Sequence, residues 1–353
     1  MQHLIIWSDR FLRIRFVLTC CVFMFFYAIK LTYEKHKELV PIIKRDDKMT
    51  PIAEELSCYY INDRNLFLST EDPSFSPPSK NKSIFFIETA CKEEISMFHA
   101  CVIESAAMAH PESKIYVLFS YPITKLQTKE YLGQVLNNYP NVFAARIHIA
   151  QYAKGTALES ILVEDIKKTR HPIEDISNVL KIVTLYKWGG TVLSNDMMVL
   201  RSFEDLPKNL IATKSNEASS SILSFAKDEV GTNLTNEIMK EFAKTFDTKS
   251  RYVNRLETTI MRVLKRMCPD IFTYKFRECN GFKVFAEDFF FPTHIPNPAP
   301  YVDEGTESIE VEMPYTFHIK NMDFSSYPSE EWPSENLARI FCPHVFELKL
   351  KIG

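Results

Sequence analysis

The sequence predicts an α/β fold, with a mainly parallel sheet flanked by helices, on three observations. Between residues 83 and 149, short apolar runs of strand length alternate with longer helix-like stretches. Breakers separate them, above all Pro111. Further on, the adjacent Gly189 and Gly190, two of only eight glycines in the chain, join a helical pattern to a short β-branched run. Strand, helix, strand, helix, strand is the order that gives parallel pairing through crossovers. Such sheets bind ligands beyond the carboxyl ends of their strands.

Taken in order, Ser83-Ile84-Phe85-Phe86-Ile87-Glu88 reads as a buried strand. A helix follows through residues 101–108 and ends at Pro111, and residues 114–119 form the next strand. A helix-like segment reaches Asn138, and a third strand is expected over 142–149. Val179, Leu180, Ile182, Val183 and Tyr186 mark a helix that stops at Gly189. A strand candidate covers 221–225, and helices are expected over 233–246 and about 252–267. The section from 284 to 342 is rich in Pro and aromatics and reads as irregular structure able to fold over a cleft.

Residues 16–29 are an uninterrupted apolar run, and counting on to Tyr33 across Lys30 gives 18 residues. That is near the lower end of the roughly 17–25 that span a bilayer. Arg10, Arg13 and Arg15 precede the run, which favours a cytoplasmic N-terminus. Bulky aromatics fill the place of a small-residue cleavage site, so an uncleaved anchor is expected rather than a signal peptide. The expected layout is a cytoplasmic tail over 1–15, a transmembrane signal-anchor over 16–33, a luminal stem over 34–82 and a globular domain over 83–353. A short aromatic-rich span suits a thin early secretory or Golgi membrane. Six cysteines follow the span, without Cys-x-x-Cys spacing, which argues for disulfides over zinc. Cys91 with Cys101 and Cys268 with Cys279 would close short loops, but sequence alone does not fix the pairing. Sequons at Asn81 and Asn233 agree with luminal exposure. A net charge of −3 and no basic block give no support for nucleic-acid binding. The absence of Gly-rich phosphate loops leaves dinucleotide and P-loop readings without support.

The segment Lys187-Trp188-Gly189-Gly190-Thr191-Val192-Leu193-Ser194-Asn195-Asp196 delivers an acid to a sheet edge. With Phe85-Phe86-Ile87-Glu88-Thr89, Cys101-Val102-Ile103-Glu104-Ser105-Ala106-Ala107, His110-Pro111-Glu112-Ser113, Val199-Leu200-Arg201-Ser202-Phe203, Tyr315-Thr316-Phe317-His318 with Asn321, and Cys342-Pro343, it resembles the alpha-1,4-glycosyltransferases of glycosyltransferase family 32. The resemblance covers about residues 83–343. It implies a GT-A-like fold, a UDP-sugar donor with Mn²⁺ or Mg²⁺ and a retaining alpha transfer of a hexose or N-acetylhexosamine. The implied acceptor is a glycosphingolipid or a glycoprotein glycan, in the lumen, by a single-pass type II Golgi membrane protein. The implied donor site comprises Asn178, Lys181, Gly189, Gly190, Ser194, Asn195, Asp196 and His318, with Asp196 and Ser194 toward the metal. No catalytic residue is assigned.

The chain departs from the family pattern at several of these positions. Ser194 stands at the first Asp of the Asp-x-Asp motif, Asn178 where an Asp is expected and Lys181 where an Arg is expected. Val253-Asn254-Arg255-Leu256-Glu257 replaces a Gly- and Pro-containing segment, and a Trp is missing before Asn321. The alternative is therefore a family member that binds nucleotide sugar or glycan without turnover, or partners an active Golgi transferase. Glu104 reads as a hydrogen-bonded core acid and Trp188 as core rather than a sugar platform.

Overall fold

A two-residue strand, β1 (Leu68–Ser69), precedes β2 (Ser83–Glu88), whose six residues are all buried. Burial on both faces of a strand requires a layer on each side. The computed structural model describes residues 56–61, 67–78, 83–92, 94–123, 130–269, 276–292, 313–318 and 333–352. All of them fall within one unit, Pro51–Gly353. After β2 come helix α1 (Met97–Ala109), strand β3 (Lys114–Phe119), helix α2 (Tyr131–Asn138) and strand β4 (Val142–Arg146). The long helix α3 (Pro172–Trp188) leads into β5 (Gly190–Leu193) and β6 (Met197–Val199). Strands β7 (Leu210–Lys214) and β8 (Glu217–Phe225) are followed by helices α4 (Glu229–Thr245) and α5 (Leu256–Met267). Then come β9 (Phe276–Cys279), β10 (Phe282–Phe285), β11 (Thr316–His318), α6 (Pro333–Phe341) and α7 (Pro343–Ile352).

The main sheet has the order β1-β4-β3-β2-β5-β8-β7-β10-β9. Its centre, β4-β3-β2-β5, is parallel, and β8 and β9 run antiparallel to their neighbours. Alternation along β2 builds two cores. Phe85 and Ile87 join one face with Val179 and Val183 of α3, Ile238 of α4 and Ile260 of α5. Ile84 and Phe86 join the other with Ile103 and Ala106 of α1, Val135 of α2 and Val345 of α7. The result is a helix–sheet–helix sandwich of the expected class.

Several boundaries differ from the sequence reading. The third strand stops at Arg146 and a short helical turn begins at Ile149. Strand β8 starts at Glu217 because Ser215 and Asn216, both at positive φ, make a two-residue turn from β7. Parts of the expected 34–82 stem are packed on the core, since Leu56 and Tyr59 are buried and β1 pairs with β4. Three disulfides join Cys58 to Cys91, Cys101 to Cys342 and Cys268 to Cys279. The short Cys268–Cys279 loop is as expected, whereas Cys91 and Cys101 each take a more distant partner. Cys101 lies on α1 facing the start of α7, with a Cα–Cα distance of 5.0 Å to Cys342, so its partner is set by tertiary packing. Among the described residues no helix is long and apolar enough to cross a membrane, and the run at 16–33 lies outside them, as do Asn81 and Asn321. Asn233 is exposed on α4.

Candidate functional site

The strand order fixes where a cleft belongs. From β2 the chain builds outward through β3 and β4, then returns to add β5 on the other side of β2. At such a reversal, the loops leaving the two neighbouring strands part and leave a crevice beyond their carboxyl ends. Glu88 ends β2 there, and Ser194-Asn195-Asp196 follows β5.

The turn after β5 is held by its backbone. Ser194 N donates to Ser221 O at 2.8 Å, and Met197 N donates to Ser194 O at 3.1 Å. Asn195 donates its amide to Ile87 O and Glu88 Oε2, each at 3.1 Å. The pairing of β6 with β11 sets His318 opposite Met197, which brings His318 Nε2 to 3.3 Å from Asp196 Oδ2. Asp196 and His318, 122 residues apart in sequence, are thus joined by one two-stranded sheet.

Helix α3 contributes Asn178 and Lys181, one turn apart on one face. Asn178 Nδ2 donates to Asn254 O at 3.1 Å. Lys181 Nζ donates to Ser194 Oγ at 3.1 Å and to Ser220 O at 3.2 Å. Burial pushes the Lys181 ammonium down, while the carboxylates of Glu257 and Asp196 hold it up. A cleft of about 580 Å³ lies beside this face, its lining including Thr89, Asn178, Lys181, Tyr252, Arg255 and Glu257. That volume is in the range of small-molecule sites, roughly 300–1,000 Å³.

Gly189 and Gly190 lie at the opposite end of β5, about 13 Å from Ser194 at some 3.3 Å per residue. Their φ values of +67° and +93° fit glycine. A Cβ on Gly190 would come within 2.5 Å of Ser83 O, and one on Gly189 within 2.6 Å of Lys227 N. These glycines seat the strand on its neighbours, and neither is among the residues lining the cleft beside Lys181.

Other residues entered the site without being anticipated. Asp175, buried on α3, accepts from Asn254 N at 2.9 Å and from its side chain at 3.1 Å, anchoring the segment before α5. Its position one turn before Asn178 was the readable signal. Glu257 accepts from the Ser220 hydroxyl, and Tyr252 stands 78% exposed at the cleft. Glu88 Oε2 lies 3.1 Å from His99 Nδ1. By contrast Glu104 is fully buried and structural: it accepts from His344 N, Val345 N and Tyr139 OH at 2.8–2.9 Å. Trp188 is stacked on Phe85, with centroids 5.9 Å apart.

The donor set fits a divalent ion poorly. Ser194 Oγ accepts from the Lys181 ammonium, the Asn195 amide is committed to Ile87 O and Glu88 Oε2, and Asp196 Oδ2 pairs with His318. Among the described residues no three His, Cys, Asp or Glu side chains gather as a metal cluster. A dication 4 Å from an ammonium is repelled by roughly 8 kcal/mol at an effective dielectric of about 20, and one carboxylate at that distance returns only about the same.

Two family models match consecutive parts of the chain. One, the glycosyltransferase sugar-binding region containing a DXD motif, spans residues 97–216 and so includes Asn178, Lys181 and Asp196. The other, the alpha 1,4-glycosyltransferase conserved region, spans 227–349 and includes Glu257 and His318. Over both regions the chain is similar to the alpha-1,4-glycosyltransferases, each model matching about a third of it. This transferase is 24% identical over 280 residues to the lactosylceramide 4-alpha-galactosyltransferase of Rattus norvegicus, across 77% of this chain and 76% of that one. The Homo sapiens protein of the same name is also 24% identical, over 286 residues, 78% of this chain and 79% of that one. Among solved structures, the PaToxG glycosyltransferase aligns at 14% identity over 57% of this chain and 73% of that chain, with a TM-score of 0.42.

Proposed function

We propose that this transferase moves a hexose or N-acetylhexosamine, such as galactose, from a UDP-sugar in alpha linkage to a glycosphingolipid or glycoprotein glycan. The observation that carries this reading is the meeting of Asn178, Lys181, Ser194, Asp196 and His318 at the sheet crevice, from both matched regions. The galactosyl and lactosylceramide parts rest on the names of the relatives. A Golgi setting and a single luminal-facing anchor follow from the family and from the apolar run at 16–33.

In a retaining transfer the bond from the sugar C1 to the β-phosphate oxygen breaks, and a bond from C1 to an acceptor hydroxyl oxygen forms on the same face. The hydroxyl proton leaves to the departing diphosphate. Charge therefore grows on the diphosphate, and cations or hydrogen-bond donors aimed at it lower the barrier. Lys181, Arg255 and the amide of Asn178 are such groups along the cleft. Lys181 and Asn178 are buried, which makes their interactions stronger than in water, whereas Arg255 is exposed and contributes less.

A second reading, binding without turnover, is favoured by Ser194 and by the poor fit of the turn to a metal. Incubating the purified full chain with UDP-galactose, UDP-GalNAc and UDP-GlcNAc, with and without lactosylceramide, separates the two. Release of UDP from one donor, raised by acceptor and with an alpha-linked product, is the expected result. Donor binding without release leaves the non-catalytic reading, and no binding of any donor refutes both.

A further inference from the structure

We propose that the Lys181 ammonium is the resident cation of the donor site, so that a nucleoside diphosphate binds there without a divalent metal. The inference rests on the UDP-sugar reading above and deepens it.

The first support is position. The ammonium sits on the Ser194 hydroxyl, at the place where the family's motif would offer its first carboxylate to a metal, 3.1 Å away. It reaches that place from α3, a rigid helix whose neighbours Leu180, Ile182 and Val183 are all core residues. Its two hydrogen bonds, to Ser194 and Ser220, hold it across the end of β5 and leave the third N–H of the ammonium for an incoming oxygen. Lys181 also forms part of the cleft wall, beside Asn178 and Thr89, so that oxygen has a route to it.

The second support is charge count. An aspartate at 194 would lie against the ammonium as a buried pair and neutralise it. Serine supplies only a dipole, so no carboxylate bonds the ammonium directly, and those of Glu257 and Asp196 act on it only at longer range. The remaining carboxylates are already engaged: Asp196 with His318, Glu257 with the Ser220 hydroxyl and, at 3.7 Å, with Arg255. The cleft is thus lined by two cations, Lys181 and Arg255, and two carboxylates, Glu174 and Glu257, with no surplus of negative charge to retain a dication. A diphosphate meets a fixed point charge, the way lysine commonly serves phosphate.

Calorimetric titration of UDP into the purified full chain, once in Mn²⁺ and once in excess EDTA, is the test. The expected Kd is the same in both buffers to within about twofold. Lys181→Met should raise Kd by about tenfold or more in both buffers, and Lys181→Arg should retain most of the affinity. Ser194→Asp, by capturing the ammonium, should weaken binding in EDTA and make it respond to Mn²⁺. A parent Kd about tenfold or more weaker in EDTA overturns the inference while leaving the UDP-sugar reading intact. So does a folded Lys181→Met variant with unchanged affinity. Failure of the parent to bind UDP in either buffer refutes the UDP-sugar reading itself, and the role of Lys181 falls with it.

Discussion

A hydroxyl in place of a carboxylate at position 194 alters what its neighbour can do. Lys181 bonds a neutral hydroxyl there, with the carboxylates of Glu257 and Asp196 acting on it only at longer range, which is the basis for proposing an anion site at this turn. His110 shows the opposite economy: a histidine kept neutral for structure. Its Nε2 accepts from Phe203 N at 2.8 Å and its Nδ1–H donates to Ala106 O, which fixes the tautomer. Burial pushes its pKa down to about 4. Because the folded value lies below the unfolded one, the unfolded chain gains a proton first as pH falls. Stability attributable to His110 is thus intact above about pH 6.5 and declines toward pH 4, by about 3 kcal/mol in all. Urea unfolding of the parent and of His110→Leu between pH 7 and 4 should converge as the pH drops. Parallel curves refute the assignment. At this scale Asp196 and Lys181 could be singled out from the sequence, the first six residues beyond a glycine pair and the second within the helix before it. The Asp196–His318 contact could not, because it depends on pairing between β6 and a strand 117 residues later. A motif gives proximity in sequence, but β5 separates Gly189 and Gly190 from Ser194 by its own length, which the sequence pattern does not show.

At the level of elements, α7 illustrates how a C-terminal helix is tied to a distant core. Cys101 and Glu104 lie one turn apart on α1; the first bonds Cys342 and the second accepts the N–H groups of His344 and Val345. A carboxylate at a helix N-terminus satisfies orphan donors and complements the helix dipole. Glu104→Gln keeps the shape but loses one accepting oxygen, and should cost about 1–3 kcal/mol in a urea melt. An unchanged midpoint contradicts the capping role. The core acid was foreseen from its apolar flanks, yet its partner was hidden because α6 and α7 lie in or beyond a stretch too rich in Pro and aromatics to show periodicity. The β9–β10 hairpin carried a legible Asn280-Gly281 turn, with φ of +48° and +81°, which marks a two-residue connection. The Ser215-Asn216 turn has no such glycine, so β7 and the first half of β8 stayed hidden.

For the whole molecule, the decisive feature is the reversal of strand order between β2 and β5. Alternating apolar runs made the parallel core legible, since two-sided burial leaves continuous hydrophobic strands. The flank β8-β7-β10-β9 was less so, because its two hairpins are joined by a parallel β7–β10 pair between residues 73 apart, such as Leu210 and Lys283. A second cavity, about 410 Å³ and lined by Ile84, His110, Thr191, Phe203 and Leu210, lies near the other end of the same strands. It offers a competing location for any ligand. Hydrogen exchange of the full chain with and without UDP-galactose distinguishes them directly. Slowed exchange at residues 89–92, 194–197 and 250–257 is the expected result, with residues 203–210 unchanged. Protection confined to 203–210, or none anywhere under conditions where the donor binds, would contradict a donor site built on Lys181 at the crevice between β2 and β5.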